Sequence, residues 1–238
     1  MNNKRTIAIS IFFIFFSHFF LSAQRNGLLN NENTSALIFT IGPSYCFGDI
    51  GGSKANASIF DDIHLEHARY ALSLGFRRTF YNRLAYRISL HQGLYYSKDV
   101  GSFAVSRKYE SSSNIIEIIA LAEFNILQGF IKKHPYKLYM YSGGGLTCAF
   151  INIKGNPVAA PNQSKTSEFA PVIPLGFGFD IQANSNFSFG LEMGWQYAFS
   201  DYMDGVKTGR ENYTNDILAN ISLTLSYKIL EKNKYWQR

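Results

Sequence analysis

The chain has 238 residues, a formal net charge of +6, 46% hydrophobic and 16% aromatic residues, and 17% charged residues, below the usual quarter. The basic excess is scattered rather than gathered into a stripe, which argues against nucleic acid as a partner, and no stretch after residue 23 is apolar for long enough to be a membrane-spanning helix. Abundant Phe and Tyr within a polar average is instead the composition of a transmembrane β-barrel, whose lumen and loops dilute an apolar outer face.

The first residues, MNNKRTIAISIFFIFFSHFFLSAQ, begin with Lys4 and Arg5, run apolar from Ile7 to Leu21 and leave on Ser22-Ala23. This is the pattern of a secretory signal peptide, residues 1–23, with cleavage expected between Ala23 and Gln24. A retained membrane anchor is the other reading, but the run is at the short limit for a span and is broken by Ser10, Ser17 and His18. No Cys follows Ala23, so lipoprotein processing is not supported. Removing the leader leaves about 215 residues and a charge of about +4.

After a polar lead-in over residues 24–35, eight runs alternate with period two, as half-buried strands do. In Ala36–Phe47, Leu37, Phe39, Ile41 and Tyr45 oppose Thr40, Gly42 and Ser44. The second run, Ala68–Phe80, sets Tyr70, Leu72, Leu74 and Phe76 against Arg69, Ser73, Gly75 and Arg77. Leu84–Ser97 sets Leu84, Tyr86, Ile88 and Leu90 against Arg87, Ser89 and His91. In Asn114–Leu127, Glu117 and Glu123 share a face with Ile119 and Leu121. A helix competes there, and the β-branched content favours a strand. Tyr136–Ile151 carries Gly143-Gly144-Gly145 at its centre, the mark of a bend or close backbone approach. Glu168–Ala183 alternates Ile173, Leu175, Phe177, Phe179 and Ile181 with Gly176, Gly178 and Asp180, and its Pro171 and Pro174 are expected towards the rim.

The seventh run, within Asn186–Ser200, has the strongest pattern. Every odd position from Phe187 to Phe199 is large and apolar, and the even positions between are Ser, Gly, Glu, Gly, Gln and Ala. A lipid-crossing strand needs such a stripe, with aromatic ends that meet the headgroups. The eighth run, Asp216–Ile229, repeats it with Ile217, Ile221, Leu223, Leu225 and Tyr227, and residues 230–238 form a polar tail.

The seven connections go long, short, long, short, long, short, long, as in transmembrane barrels with short periplasmic turns and longer outer loops. The expected fold is therefore all-β: an eight-stranded antiparallel up-and-down transmembrane barrel over residues 36–229. A soluble β-sandwich requires neither that alternation nor outward stripes this aromatic. Cys46 and Cys148 fall on the first and fifth strands, too far apart for a disulfide, and are expected as free, buried thiols.

Eight strands enclose a lumen that side chains can fill. The inward charges, Arg69, Arg77, Arg87, Glu117, Glu123, Asp180, Glu192 and Lys228, are expected to pair, because an unpaired charge in such a lumen is costly. A plugged structural lumen is the main reading, with a narrow pore and a catalytic cluster as the sharper ones. Ser89 and His91 are inward neighbours two apart, and Glu117 on the next strand can orient the histidine, which is the minimum for a serine hydrolase. Asp61, Asp62, His64 and His67 in the first long loop and Asp201 and Asp204 in DYMDG are possible metal ligands. The loop lacks the ordered spacing of a known metal site and is read as solvated, and Asp201 and Asp204, for which calcium is the candidate ion, are read as turn-forming acids. No catalytic, cofactor or metal role is assigned.

The segments TIGPSYCFGDIGG, LSLGFRRTFYNRLAYRISLHQG, IIEIIALAEFNIL, LYMYSGGGL and FAPVIPLGFGFDIQANSNFSFGLEMGWQYAFSDYMDGV resemble, in this order, PorG-like proteins. These are small outer-membrane barrels of Bacteroidota associated with the type IX secretion system. The more specific elements are Tyr45, Gly48 and Asp49, and Glu192 through Asp201-Tyr202-Asp204. The resemblance implies a non-catalytic outer-membrane protein, with membrane lipid around it and periplasmic ring proteins of the secretion machine as partners. A structural barrel without such a partner, and a lipid-modifying barrel hydrolase, are the other readings. No small-molecule substrate is inferred.

Overall fold

The structure, a computed structural model, describes residues 34–47, 50, 65–80, 83–99, 110–127, 135–154, 165–206 and 215–229. The expected leader over 1–23, most of the lead-in and the tail over 230–238 lie outside them. Eight strands, β1 (Thr34–Phe47), β2 (Arg69–Phe80), β3 (Leu84–Lys98), β4 (Glu110–Asn125), β5 (Tyr136–Lys154), β6 (Ser167–Gln182), β7 (Phe187–Ala198) and β8 (Ile217–Ile229), close in sequence order into one barrel. Every neighbouring pair is antiparallel, and β8 closes on β1 from Ser35↔Ile229 to Phe47↔Ile217. Closure leaves no unpaired edge, so every ladder finds its partners within the barrel.

The fourth run is a strand, as its β-branched residues favoured. Its start at Glu110, four residues ahead of the expected one, extends the wall through Ser111↔Ile153 and Glu110↔Lys154. Ser111 and Ser113 point inward while Ser112 points out, and three serines in a row offer no polar contrast for a period of two to register.

The expectation that both β6 prolines lie near the rim is corrected for Pro174, which falls in the middle of the strand. The β5–β6 ladder passes from Ser142↔Leu175 to Gly145↔Val172, and Pro174 occupies the gap. Its missing N–H is tolerated there because Gly143 and Gly144 run past it, and Ser142 Oγ donates to the Pro174 carbonyl at 3.0 Å. Gly143 lies so close to β4 that a Cβ would overlap the Ala120 carbonyl. The β1–β8 seam has a similar gap at Gly42-Pro43, between Ile41↔Leu223 and Ser44↔Asn220.

The outer face is apolar on all sides: Leu74, Ile88, Ile118, Phe177, Phe189 and Leu223 are among its exposed side chains. A soluble monomer rarely exposes a contiguous apolar patch beyond a few hundred Å², so a band encircling the molecule is suited to lipid. Aromatics gather at its two ends. At the short-turn end Phe80 and Tyr86 lie 5.7 Å apart, Tyr136 and Phe179 6.5 Å, and Phe187 and Tyr227 5.1 Å. Near the long-loop end Tyr197 and Phe199 meet edge to face at 5.3 Å. Their amphipathic rings suit the headgroup level.

Candidate functional site

The lumen contains two stoppers with a chamber between them. The lower stopper, towards the short turns, is ionic. Strand register places Arg77 on β2 directly opposite Arg87 on β3, a like-charge pair that would be unfavourable alone. Glu123 on β4 bridges the two: its Oε2 lies 2.8 Å from Arg77 Nε and its Oε1 lies 3.0 Å from Arg87 Nε. Arg77 Nη1 also donates to Asp180 Oδ2 at 3.0 Å, and Arg87 Nη1 to Glu192 Oε1 at 2.6 Å. Lys137 Nζ reaches Glu123 Oε2 at 3.5 Å. Three cations thus face three carboxylates, all but Lys137 almost wholly buried, so each charge is compensated where an unpaired one would be costly.

Two tyrosines of β5 complete this layer. Tyr139 donates to Glu192 Oε1 at 2.5 Å, and the Arg77 guanidinium carbon stands 4.8 Å from its ring centroid. Arg87 stands 5.2 Å from the Tyr141 ring, an arrangement that adds cation–π attraction. The rings lie against β6, where a Cβ at Gly178 would overlap Tyr139 and one at Gly176 would overlap Tyr141. The small inward positions of GFGF in β6 therefore make room for the large inward positions of YMY in β5.

The upper stopper, towards the long loops, is apolar. Tyr95, Ile115, Ala149, Val172 and Leu218 point inward from five strands, and Met203 packs among them from the connection after β7 with no exposed surface. That connection is tied down through its backbone. Met203 N–H donates to Asp216 Oδ2 at 2.7 Å, and Ser113 Oγ donates to the Met203 carbonyl at 2.8 Å. Asp204 accepts the N–H groups of Ile50, at 2.9 Å, and Val206, at 3.0 Å. Gly205 holds φ at 88°, a left-handed conformation suited to glycine, and its carbonyl accepts from Lys165 N at 2.9 Å. Asp204 is thus a turn-organising acid, in line with the bland expectation for DYMDG.

Ser89, His91 and Glu117 all face the lumen between the stoppers. His91 and Glu117 are direct cross-strand partners, and His91 Nδ1 lies 2.6 Å from Glu117 Oε2. The orienting carboxylate expected for the histidine is therefore in place. Ser89 stands two positions along the same strand and takes no part in that contact, so the three residues do not assemble into a nucleophile–base pair.

His67 packs edge-on to Tyr96 at 5.6 Å, while Asp61, Asp62 and His64 lie outside the described residues. Among the described residues, no group of three His, Cys, Asp or Glu converges as a metal site would. Cys46 and Cys148 are free, as expected, but both are half-buried rather than buried. Cys148 alternates with the inward Thr147 and Ala149 and so belongs to the outer face.

Of the expected inward charges, Arg77, Arg87, Glu123, Asp180 and Glu192 meet in one network, and Glu117 pairs separately with His91. Arg69 is at the long-loop rim, donating to the Glu66 and Ala68 carbonyls and lying 4.4 Å from the Tyr96 ring centroid. Lys228 is half-buried near the end of β8, outside the network. Sequence reasoning missed Lys137, Tyr139 and Tyr141. The alternation Lys137-Tyr139-Tyr141 against Leu138-Met140 could have found them, but both faces of this stretch carry large side chains.

A family described as a domain of unknown function, DUF6089, matches residues 11–229. No curated protein matches the chain. Among solved structures, Neisserial surface protein A is 12% identical, with a TM-score of 0.52 over 82% of this chain and 97% of that one. A major outer membrane protein from Thermus thermophilus is 13% identical, with a TM-score of 0.49 over 83% of this chain and 99% of that one. Ail, the attachment invasion locus protein of Yersinia pestis, is 16% identical, with a TM-score of 0.45 over 83% and 99%. At such identities the likeness is one of fold, that of eight-stranded outer-membrane barrels.

Proposed function

The chain belongs to the DUF6089 family, and from that premise we propose that it is a non-catalytic outer-membrane barrel, acting through its rim and periplasmic segments as an accessory anchor of a type IX-like secretion machine. The observation that carries this reading is the lumen blocked twice over, by the Arg77–Arg87–Glu123 network below and by the Met203 cluster above. A barrel filled this way works through its surfaces rather than as a conduit. The apolar band with aromatic ends supports an outer-membrane location with lipid around it. The chain enters β1 and leaves β8 at the short-turn end, which for a barrel of this class is the periplasmic side. The resemblance to PorG-like proteins supports periplasmic ring subunits as the partner. Its late motif coincides with residues that fill the lumen, Glu192 in the network and Asp204 in the cap.

Deleting the gene and comparing secreted proteins, alongside detergent pull-downs with the tagged barrel, tests the reading. Lost secretion together with recovered ring subunits is the expected outcome. Normal secretion with no recovered partner would overturn it in favour of the second reading, a structural barrel without a secretion partner. The hydrolase reading has only the His91–Glu117 contact behind it.

A further inference from the structure

Between the two stoppers the inward side chains do not fill the lumen. They leave a chamber with about 40 Å³ open to a water-sized molecule, bordered by Ser73, Ser89, His91, Tyr141, Gln196 and Asn220 among others. We propose that this chamber is a binding site for a small cluster of water molecules, anchored on His91 Nε2 and Gln196 Oε1.

Three observations carry the assignment. His91 is 4% exposed and Gln196 6%, and neither His91 Nε2 nor Gln196 Oε1 has a hydrogen-bond partner among the described residues. Two buried polar atoms facing one cavity need a ligand, because a buried polar group left without a partner keeps the full penalty of its lost hydration. The volume suits water: at roughly 10–15 Å³ each, the chamber holds about three molecules, too few atoms for most metabolites. The chemistry of the anchors points the same way. Gln196 Oε1 can only accept, so the ligand must donate to it. His91 Nδ1 is committed to Glu117, and Nε2 accepts when the ring is neutral and donates when it is charged. Water serves both anchors in either state. A monatomic anion cannot donate to Gln196, and Glu117, the lumen carboxylate outside the balanced network, is turned to His91 and does not border the chamber.

The site differs from the rest of the lumen. Tyr141, 7% exposed, borders the chamber, whereas Tyr95, 2% exposed, is enclosed by the apolar cluster above. Bound water therefore touches one tyrosine and not the other.

X-ray hydroxyl-radical footprinting of the folded full-length barrel in detergent reads this contrast, since radicals form from water held against a side chain. The expected result is oxidation of Tyr141 several-fold faster than of Tyr95, with the excess lost in the His91→Phe, Gln196→Leu double variant. If that variant loses the heat-modifiable gel migration of a folded barrel, the volume-matched Gln196→Met variant is used instead, with a reduced excess expected. Equal slow oxidation of both tyrosines would overturn the proposal, as would an excess at Tyr141 that survives in the folded variant. Crystallography of the same protein gives a second reading. Density for water within hydrogen-bond distance of His91 Nε2 is expected, and an ion or a side chain filling the chamber would overturn the site.

Discussion

At the short-turn end of the lumen, Arg77, Arg87 and Lys137 are met by Glu123, Asp180 and Glu192. At the long-loop end the inward positions of the same strands carry Tyr95, Ile115, Ala149 and Val172, and Met203 comes down from a loop to complete them. The ionic end is closed by strand residues alone, so its geometry follows from register. The apolar end needs a segment from outside the wall, held by Asp204 and Asp216. One end thus depends on strand register, while the other depends on the seating of a loop.

The contrast is broken most severely at Glu123. Glu123→Ala leaves two opposed arginines without their shared carboxylate, and removing one partner of such a buried set costs about 3–5 kcal/mol. Denaturant unfolding in detergent or bilayers, followed by tryptophan fluorescence, should show a loss of that size with no new protease cleavage in residues 200–206. A midpoint close to that of the unaltered protein would mean that the network does not hold the lower lumen together.

Met203→Ala should be the next largest, at about 2–3 kcal/mol, the lower part of the range for buried Met because a loop can collapse into the space. Limited proteolysis should then cut within residues 200–206, which distinguishes this loss from that at Glu123. Resistance to cutting would show that the backbone hydrogen bonds alone hold the loop. The smallest effect is expected from Lys98→Ala. Lys98 pairs with Glu110 on the solvated extension of the wall, and exposed pairs contribute little. The unfolding midpoint should stay within experimental scatter, and a clear shift would extend the stabilising electrostatics beyond the lumen.

Much of the fold was legible because a lipid-facing wall enforces a strict period of two. Phe187 to Phe199 could be placed outward from residue type alone, and with them Glu192 and Gln196 inward. The network was half legible. Opposed charges on neighbouring strands implied pairing, but Tyr139 and Tyr141 were hidden because β5 carries large residues on both faces, and only the glycines of β6 show which of them turn in. Pro174 was misplaced because a missing N–H is read from sequence as a rim feature, whereas a glycine-lined gap in the ladder accommodates it in mid-strand.

The sequence by itself determined the barrel, its eight strands and the faces they present, since alternation and loop lengths are local properties of the chain. It also determined that charges such as Arg77 and Glu123 point inward. Only the tertiary structure decided which charge meets which, because pairing across the lumen joins residues over a hundred positions apart, as Arg87 and Glu192 are. It alone placed Met203 as the upper stopper, since the hydrogen bonds that seat a loop residue in the lumen leave no periodic trace in the chain.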